Sequence, residues 1–239
     1  MLRLYSVILS AFLGACPLVA QDIENGQEKE PRGRLAWIVA VAIPDDLENP
    51  VKMVSGKKVV EVTLSKRSVG EPVQIPKEGI VRMIRELPNA DDPEKPIIET
   101  LAQAQIPETV TNALVILVPV KKKEGSTLLF ASTVQNLAGF GGGETLYMNL
   151  SPREILVQLG DEKIPLRKGD IKVTKSPKQD KAVNKEVSYS FFDPAKEKWK
   201  LLGASTVVVR PTRREICIFS WDSRFDRLDY HGVTFPVAN

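Results

Sequence analysis

Residues 136–173 read NLAGFGGGETLYMNLSPREILVQLGDEKIPLRKGDIKV, and this stretch decides the fold class. It contains three short apolar runs, at residues 146–150, 155–159 and 163–166. The runs are separated by a glycine triplet at 141–143, by Ser-Pro-Arg-Glu at 151–154 and by Gly-Asp-Glu at 160–162. Apolar runs this short, bounded by turn-forming residues, are typical of hairpin-linked strands, because an ordinary helix does not fit between the turns.

The same pattern continues on both sides of this stretch. Apolar and polar side chains alternate over residues 60–64, as in a strand with one solvent-exposed face. Residues 113–120 are apolar on both faces, so we expect a central strand with residues 115–118 buried between layers. Residues 98–105 are the segment where a short helix competes with strand. The sequence therefore predicts an all-β fold: an antiparallel β-sandwich, either one domain or two packed sandwich halves, with little helix.

The N-terminus predicts export. Arg3 precedes an apolar stretch at residues 4–15, which has the proportions of a secretory signal. Two processing routes remain open: cleavage after Ala20, or a lipobox (Leu-Gly-Ala-Cys) that would place a lipid on Cys16. Pro17 speaks against the lipid route. Cleavage after Ala20 is slightly favoured. We expect the protein in the periplasm, in the outer membrane or outside the cell, with a membrane attachment only if the lipid route is taken.

The chain divides into four predicted segments: a signal peptide at 1–20, a flexible leader at 21–34, a first β half at 35–120 and a second β half at 121–239. The two halves form one continuous domain or two. Each half places a strand, a glycine turn, a second strand and a Lys-Gly turn in the same order. Because the matching stretches are short, chance repetition of hairpin patterns is the stronger explanation.

Composition excludes several classes of function. The 33 Lys and Arg residues nearly balance the 30 Asp and Glu residues, so no field strong enough to favour nucleic acid arises. The basic pair Arg213 and Arg214 is interpreted as part of a solvated turn. His231 is the single histidine, so this chain alone cannot build a multi-histidine zinc site or a blue-copper centre. We expect no cofactor.

Two further motifs favour structural roles. Cys217 stands between two isoleucines, which predicts an apolar core thiol and not a nucleophile. The glycine triplet is followed by Glu144 where a phosphate-binding loop would carry lysine, so it predicts a wide turn or a β-bulge.

The best remaining constellation lies near the C-terminus and contains Asp222, Arg224, Asp226, Asp229 and His231. Three carboxylates this close could bind a hard cation such as calcium, and they make Asp222, Asp226, Asp229 and His231 weak metal candidates. The spacing is not that of an EF-hand, and the interleaved arginines can neutralise the acids. We expect these residues to serve local structure and solubility.

Six aromatic residues could form a sugar-stacking surface, namely Trp37, Trp199, Trp221, Tyr147, Tyr189 and Tyr230. Most of them stand inside strand patterns, so core packing is the favoured interpretation.

Parts of the second half resemble uncharacterised exported bacterial β-sandwich proteins. The resemblance rests on Asn-Leu-Ser at 149–151, the hairpin at 159–161 and the Leu-Arg-Lys-Gly turn at 166–169. The spacing of strands and turns over residues 199–221 is also similar to that of their closing hairpins. The resemblance implies an envelope module and carries over no catalytic residue. We therefore expect a non-catalytic interaction or structural module whose partner is an envelope protein or a glycan. A carbohydrate-binding protein or a carboxylate-based hydrolase is the alternative.

Overall fold

The computed structural model describes residues 33–121, 123–174, 180–222 and 225–237. The predicted signal peptide, the lipidation candidate Cys16 and all but the last two residues of the predicted leader lie outside the described residues. Within the described part the regular structure is almost entirely strand, with a single 3₁₀ turn at Leu137–Gly139 and no α-helix. The described residues therefore hold no helix that could span a bilayer. The predicted all-β fold is confirmed.

The strands of the first half are β1 (Leu35–Ala40), β2 (Val51–Ser55), β3 (Lys58–Val62), β4 (Val73–Gln74), β5 (Ile80–Leu87), β6 (Ile97–Gln105), β7 (Asn112–Pro119) and β8 (Phe130–Asn136). Those of the second half are β9 (Thr145–Asn149), β10 (Ile155–Leu159), β11 (Glu162–Leu166), β12 (Ile171–Val173), β13 (Val183–Asp193), β14 (Lys198–Val209), β15 (Arg213–Asp222) and β16 (Arg227–Pro236).

These strands form four sheets of four strands each. The first half contains outer sheet 1, in the order β3-β2-β5-β6, and inner sheet 1, in the order β4-β1-β7-β8. The second half contains inner sheet 2, in the order β12-β9-β15-β16, and outer sheet 2, in the order β11-β10-β13-β14. Most neighbouring strands are antiparallel, but β1 pairs with β7 and β9 pairs with β15 in parallel.

The sheets stack in that order, with an apolar layer between each pair of neighbours. In β7, Val115 and Leu117 belong to the layer shared with outer sheet 1, whereas Leu114 and Ile116 belong to the middle layer shared with inner sheet 2. Successive side chains of a strand point to opposite faces, so a strand with an apolar layer on each side must be apolar at every position. Val115, Ile116 and Leu117 are buried as predicted, and Val118 is half-buried near the strand end.

The second half is built in the same way. In β15, Ile216 and Ile218 complete the middle layer, and Cys217 and Phe219 enter a third layer against outer sheet 2. Both inner sheets are thus covered on both faces, which accounts for the continuous apolar runs of β7 and β15. The structure is two β-sandwiches packed face to face.

The two halves share one topology. Strands β1 to β8 and β9 to β16 follow the same order of sheet membership and pairing, including the parallel pair in each inner sheet. Each half also carries a β-bulge in the same hairpin: the β5–β6 pairing skips Leu101, and the β13–β14 pairing skips Leu202. The sequence favoured chance repetition, but the shared topology and bulge favour a duplicated unit instead.

Two expectations differ from the structure. Residues 98–105, where a short helix was expected to compete, lie in β6, because Ala102 and Ala104 point into the first apolar layer at strand spacing. The predicted division between residues 120 and 121 falls in the connection between β7 and β8, and pairing places both of these strands in inner sheet 1. Sheet membership changes between Asn136 and Thr145 instead.

Candidate binding surface

The predicted acidic constellation is distributed along the β15–β16 hairpin. Asp222 lies opposite Arg227, Asp229 lies two positions further along β16, and Asp226 lies in the turn with a φ of 47°. The Asp229 carboxylate accepts a hydrogen bond of 2.9 Å from the backbone N–H of Tyr230. No group of three or more His, Cys, Asp and Glu side chains is arranged to hold a metal ion within the described residues, which exclude Arg224.

His231 lies on β16, opposite Ile218, on the face that looks toward inner sheet 1. Burial lowers the pKa of His231, and the nearby cations Lys66 and Arg67 lower it further, whereas Asp229 raises it. Its Nε2 atom is buried and has no hydrogen-bond partner in the described part of the chain. A neutral imidazole at the rim of the middle layer is therefore the form that the surroundings favour.

Cys217 is buried in the third layer, among Tyr147, Tyr189 and Phe219. Burial raises the pKa of its thiol to about 12, although a hydrogen bond with the Tyr189 side chain lowers it in part. Burial likewise raises the pKa of both tyrosines. A thiol with a raised pKa in an apolar layer is a poor nucleophile.

The glycine triplet forms a turn held by its own carboxylate. The Glu144 side chain accepts a hydrogen bond of 2.7 Å from the backbone N–H of Gly141. Gly142 lies so close to the Pro211 carbonyl that an added Cβ would be 1.6 Å from its oxygen. The triplet thus allows two backbone segments to approach, and Glu144 occupies the donor that a phosphate would need.

Arg214 differs from the expected solvated turn residue. It is buried in β15, and its guanidinium donates hydrogen bonds to the carbonyls of Leu137 (3.2 Å) and Phe140 (2.9 Å). The same group lies over the rings of Phe140 and Phe235. Arg214 therefore anchors the 3₁₀ turn to the second half, and burial lowers its pKa.

Among the aromatic residues, core packing accounts for most but not for Trp199. Tyr147 and Tyr189 are buried, Trp37 is half-buried, and Arg153 covers Trp221 at 5.2 Å. Tyr230 packs on Tyr189, with ring centroids 4.7 Å apart. The Trp199 side chain, by contrast, is 45% exposed and meets Phe192 edge to face at 5.7 Å.

Trp199 belongs to an exposed apolar surface on the outer face of outer sheet 2. Because Val157 and Tyr189 point into the third layer, their neighbours Leu156 and Ser190 point outward. The cross-strand pairs on this face bring together five apolar side chains, with Ser190 between Leu156 and Leu201. We call these side chains the apolar strip: Leu156, Pro165, Phe192, Trp199 and Leu201. Leu201 is 66% exposed.

A shallow polar groove of about 380 Å³ lies beside the apolar strip on the same sheet. Its side chains include Gln158, Glu186, Ser188 and Thr206. The outer face therefore combines an apolar end with a hydrogen-bonding end, the combination that ligand sites use for affinity and orientation.

The outer face of outer sheet 1 has a different character. Lys52 and Glu86 form an ion pair of 2.5 Å, and Arg82 donates to Gln103 at 3.0 Å. The exposed Ile98 of this sheet lies opposite Glu86. Charged and polar pairs thus lie beside exposed apolar side chains such as Val59 and Ile98 on this face, and its strands contain no tryptophan.

Sequence reasoning missed the apolar strip because it assigned Trp199 to the core. The signal that was available is the pair Trp199 and Leu201, two residues apart on one strand. No protein-family model matches the sequence, and no curated protein is similar enough to count as a relative.

Proposed function

We propose that the protein is an exported, non-catalytic β-sandwich module that binds another protein of the cell envelope through the apolar strip. The observation that carries this proposal is the exposure of Trp199 and Leu201 beside Phe192 on an open sheet face. Contiguous exposed apolar side chains mark interaction surfaces, and tryptophan is enriched among the residues that contribute most to binding.

The chemistry of the titratable groups supports a binding role over a catalytic one. Enzymes usually gather groups whose altered pKa values suit proton transfer or nucleophilic attack at a cleft. Here the pKa of Cys217 is raised within an apolar layer, and that of His231 is lowered at the rim of another. Both shifts arise mainly from burial, which favours the neutral forms.

Export is supported by the sequence of residues 1–20 alone. Mass spectrometry of the protein from its native host tests it: a mature chain that begins at Cys16 with lipid, or at Gln21 without lipid, agrees with export. A chain that retains Met1 contradicts it.

A glycan is the second candidate partner, and the polar groove beside Trp199 favours it. Aromatic rings stack on sugar rings, and side chains such as Gln158 and Glu186 supply hydrogen bonds to hydroxyl groups. This reading uses the same surface with a different ligand.

Site-specific crosslinking in the native envelope tests the proposal. A photoreactive residue at Pro165, at the margin of the apolar strip, should form a discrete crosslinked species that Trp199→Ser and Leu201→Ser each abolish. Val59→Ser, at an equally exposed position of outer sheet 1, should leave the species unchanged. A species that survives both strip substitutions would contradict binding through the strip.

Titration with soluble envelope oligosaccharides separates the two candidate partners. A glycan ligand should change the fluorescence of Trp199, and Gln158→Ala should weaken that change. A crosslinked protein with no response to any oligosaccharide favours the protein partner.

A further inference from the structure

The two halves differ at one edge of their outer sheets, which in the second half is the edge of β14. Because Leu101 and Leu202 mark the same bulge, β14 in the second half corresponds to β6 in the first. Both are edge strands of an outer sheet. Edge strands expose unpaired backbone N–H and carbonyl groups, which another extended segment can pair with.

In the first half, the chain itself covers this edge. The segment at 127–132 runs alongside β6 and donates three hydrogen bonds to its carbonyls: Thr127 Oγ1 to Thr100 (2.7 Å), Leu129 N to Leu101 (2.8 Å) and Ser132 Oγ to Gln103 (2.5 Å). The segment belongs to the ten-residue connection at 120–129 and to the start of β8.

The corresponding connection in the second half is too short to supply such a segment. Residues 223–226 alone connect β15 to β16, so four residues stand where the first half has ten. Ala204, Ser205 and Thr206 of β14 are exposed. Among the described residues, no segment covers the corresponding edge in the second half.

β14 itself carries the sequence of the covering segment. Residues 128–134 read LLFASTV and residues 201–207 read LLGASTV, which differ only at Phe130 and Gly203. The glycine has a local cause, because a Cβ there would lie 3.1 Å from the Tyr230 hydroxyl. β14 is thus an edge of the β6 type whose own sequence repeats most of the covering segment, with Ser205 at the position of the donor Ser132.

The features that discourage edge pairing are confined to one end of β14. Lys198, Lys200 and the bulge at Leu202 lie in its first five residues. Residues 203–209 read GASTVVV and contain no charge and no proline. Lysines, bulges and prolines protect natural edge strands, so this second stretch is open to pairing.

We infer that two copies of the chain pair through residues 203–209 of β14. A closed pair of identical surfaces requires a two-fold axis, so the two strands run antiparallel. With the axis at Thr206, this residue faces its own copy, Ser205 faces Val207, and Ala204 faces Val208. The two outer sheets 2 then join into one sheet of eight strands, four from each copy. This dimer goes beyond the proposed function, since the apolar strip lies outside residues 203–209.

Sedimentation velocity of the full chain over rising concentration tests the inference. The wild-type protein should form a dimer, and Thr206→Lys and Thr206→Glu should each be monomeric, because like charges would face each other across the axis. An equimolar mixture of the two variants should recover the dimer, since opposite charges then face each other. Val59→Lys on β3, an edge strand of outer sheet 1, is the matched control and should stay dimeric.

A wild-type monomer at every soluble concentration would overturn the inference, as would dimers that persist in both Thr206 variants or a mixture that stays monomeric. Hydrogen exchange of the wild-type protein gives a test that needs no variant. The amides of residues 203–209 should gain protection as concentration rises, and unchanged exchange there would overturn the dimer. The crosslinking result for the apolar strip is independent of either outcome.

Discussion

Leu101 and Leu202 occupy the same backbone position in the two halves but differ in burial. Each is the residue that strand pairing skips at a β-bulge. Leu101 is 1% exposed within the first apolar layer, beneath the segment whose Leu129 N–H binds its carbonyl. Leu202 is half-buried at the margin of the third layer. The covering segment accounts for the difference.

This pair gives the first stability prediction. Leu101→Ala should lower the free energy of unfolding by about 2–5 kcal/mol, because it removes buried methyl groups and leaves a cavity. Leu202→Ala should cost clearly less, since part of its side chain already meets water. Urea denaturation of both variants checks the order, and a larger loss at Leu202 would contradict the assignment of burial.

The glycine triplet supplies a second prediction. Gly142→Ala should destabilise the protein by about 1–3 kcal/mol or more, because the new Cβ would overlap the Pro211 carbonyl and force the backbone apart. Gly139→Ala, three residues earlier, adds a methyl group with no heavy atom within 4 Å and should be tolerated. Thermal unfolding of the two variants compares them directly. Equal stability would mean that the turn relaxes freely.

Arg214 gives the third prediction. Arg214→Met removes the donor to the buried Phe140 carbonyl, which costs about 1–3 kcal/mol, whereas the Leu137 carbonyl still accepts the Phe140 N–H at 3.2 Å. Its exposed neighbour is the control, and Arg213→Met should change stability by less than about 0.5 kcal/mol. The check is the denaturant midpoint of each variant, and similar midpoints would show that Arg214 contributes little.

The fourth prediction concerns pH. Burial holds the pKa of His231 below its ordinary value of 6.5, so the unfolded chain binds this proton more readily than the folded one. Stability should therefore fall as pH drops below 6.5 and be fully present above it. In His231→Gln, the free energy of unfolding should depend less on pH below 6.5 than it does in the parent. Parallel profiles for the variant and the parent would assign the pH dependence to other groups.

Much of the fold was predictable because its strands are short and the turns between them are chemically distinct. The apolar run at 155–159 coincides with β10, and the run at 146–150 is displaced by one residue from β9. The two-sided apolar pattern of β7 indicated a strand between layers. Turn signals are local, however, and do not reveal the parallel pairs β1–β7 and β9–β15, which join distant segments.

The binding surface was less predictable, for a physical reason. Inward and outward positions alternate along a strand, but the bulge at Leu202 shifts the alternation within β14. A regular pattern therefore cannot tell whether Trp199 points to the core or to solvent. The acidic residues near the C-terminus were located correctly on a closing hairpin, yet their separation along it depends on pairing that spacing alone does not give.

The middle apolar layer has a consequence for how the chain is made. The first half ends at Asn136, and its side chains Val39, Leu114 and Ile116 are covered by strands that lie at residue 145 and beyond. When only the first half has been synthesised, one apolar face of its sandwich is therefore exposed to solvent. Such intermediates are prone to aggregate. We expect the emerging chain to depend on chaperone protection until β15 is complete.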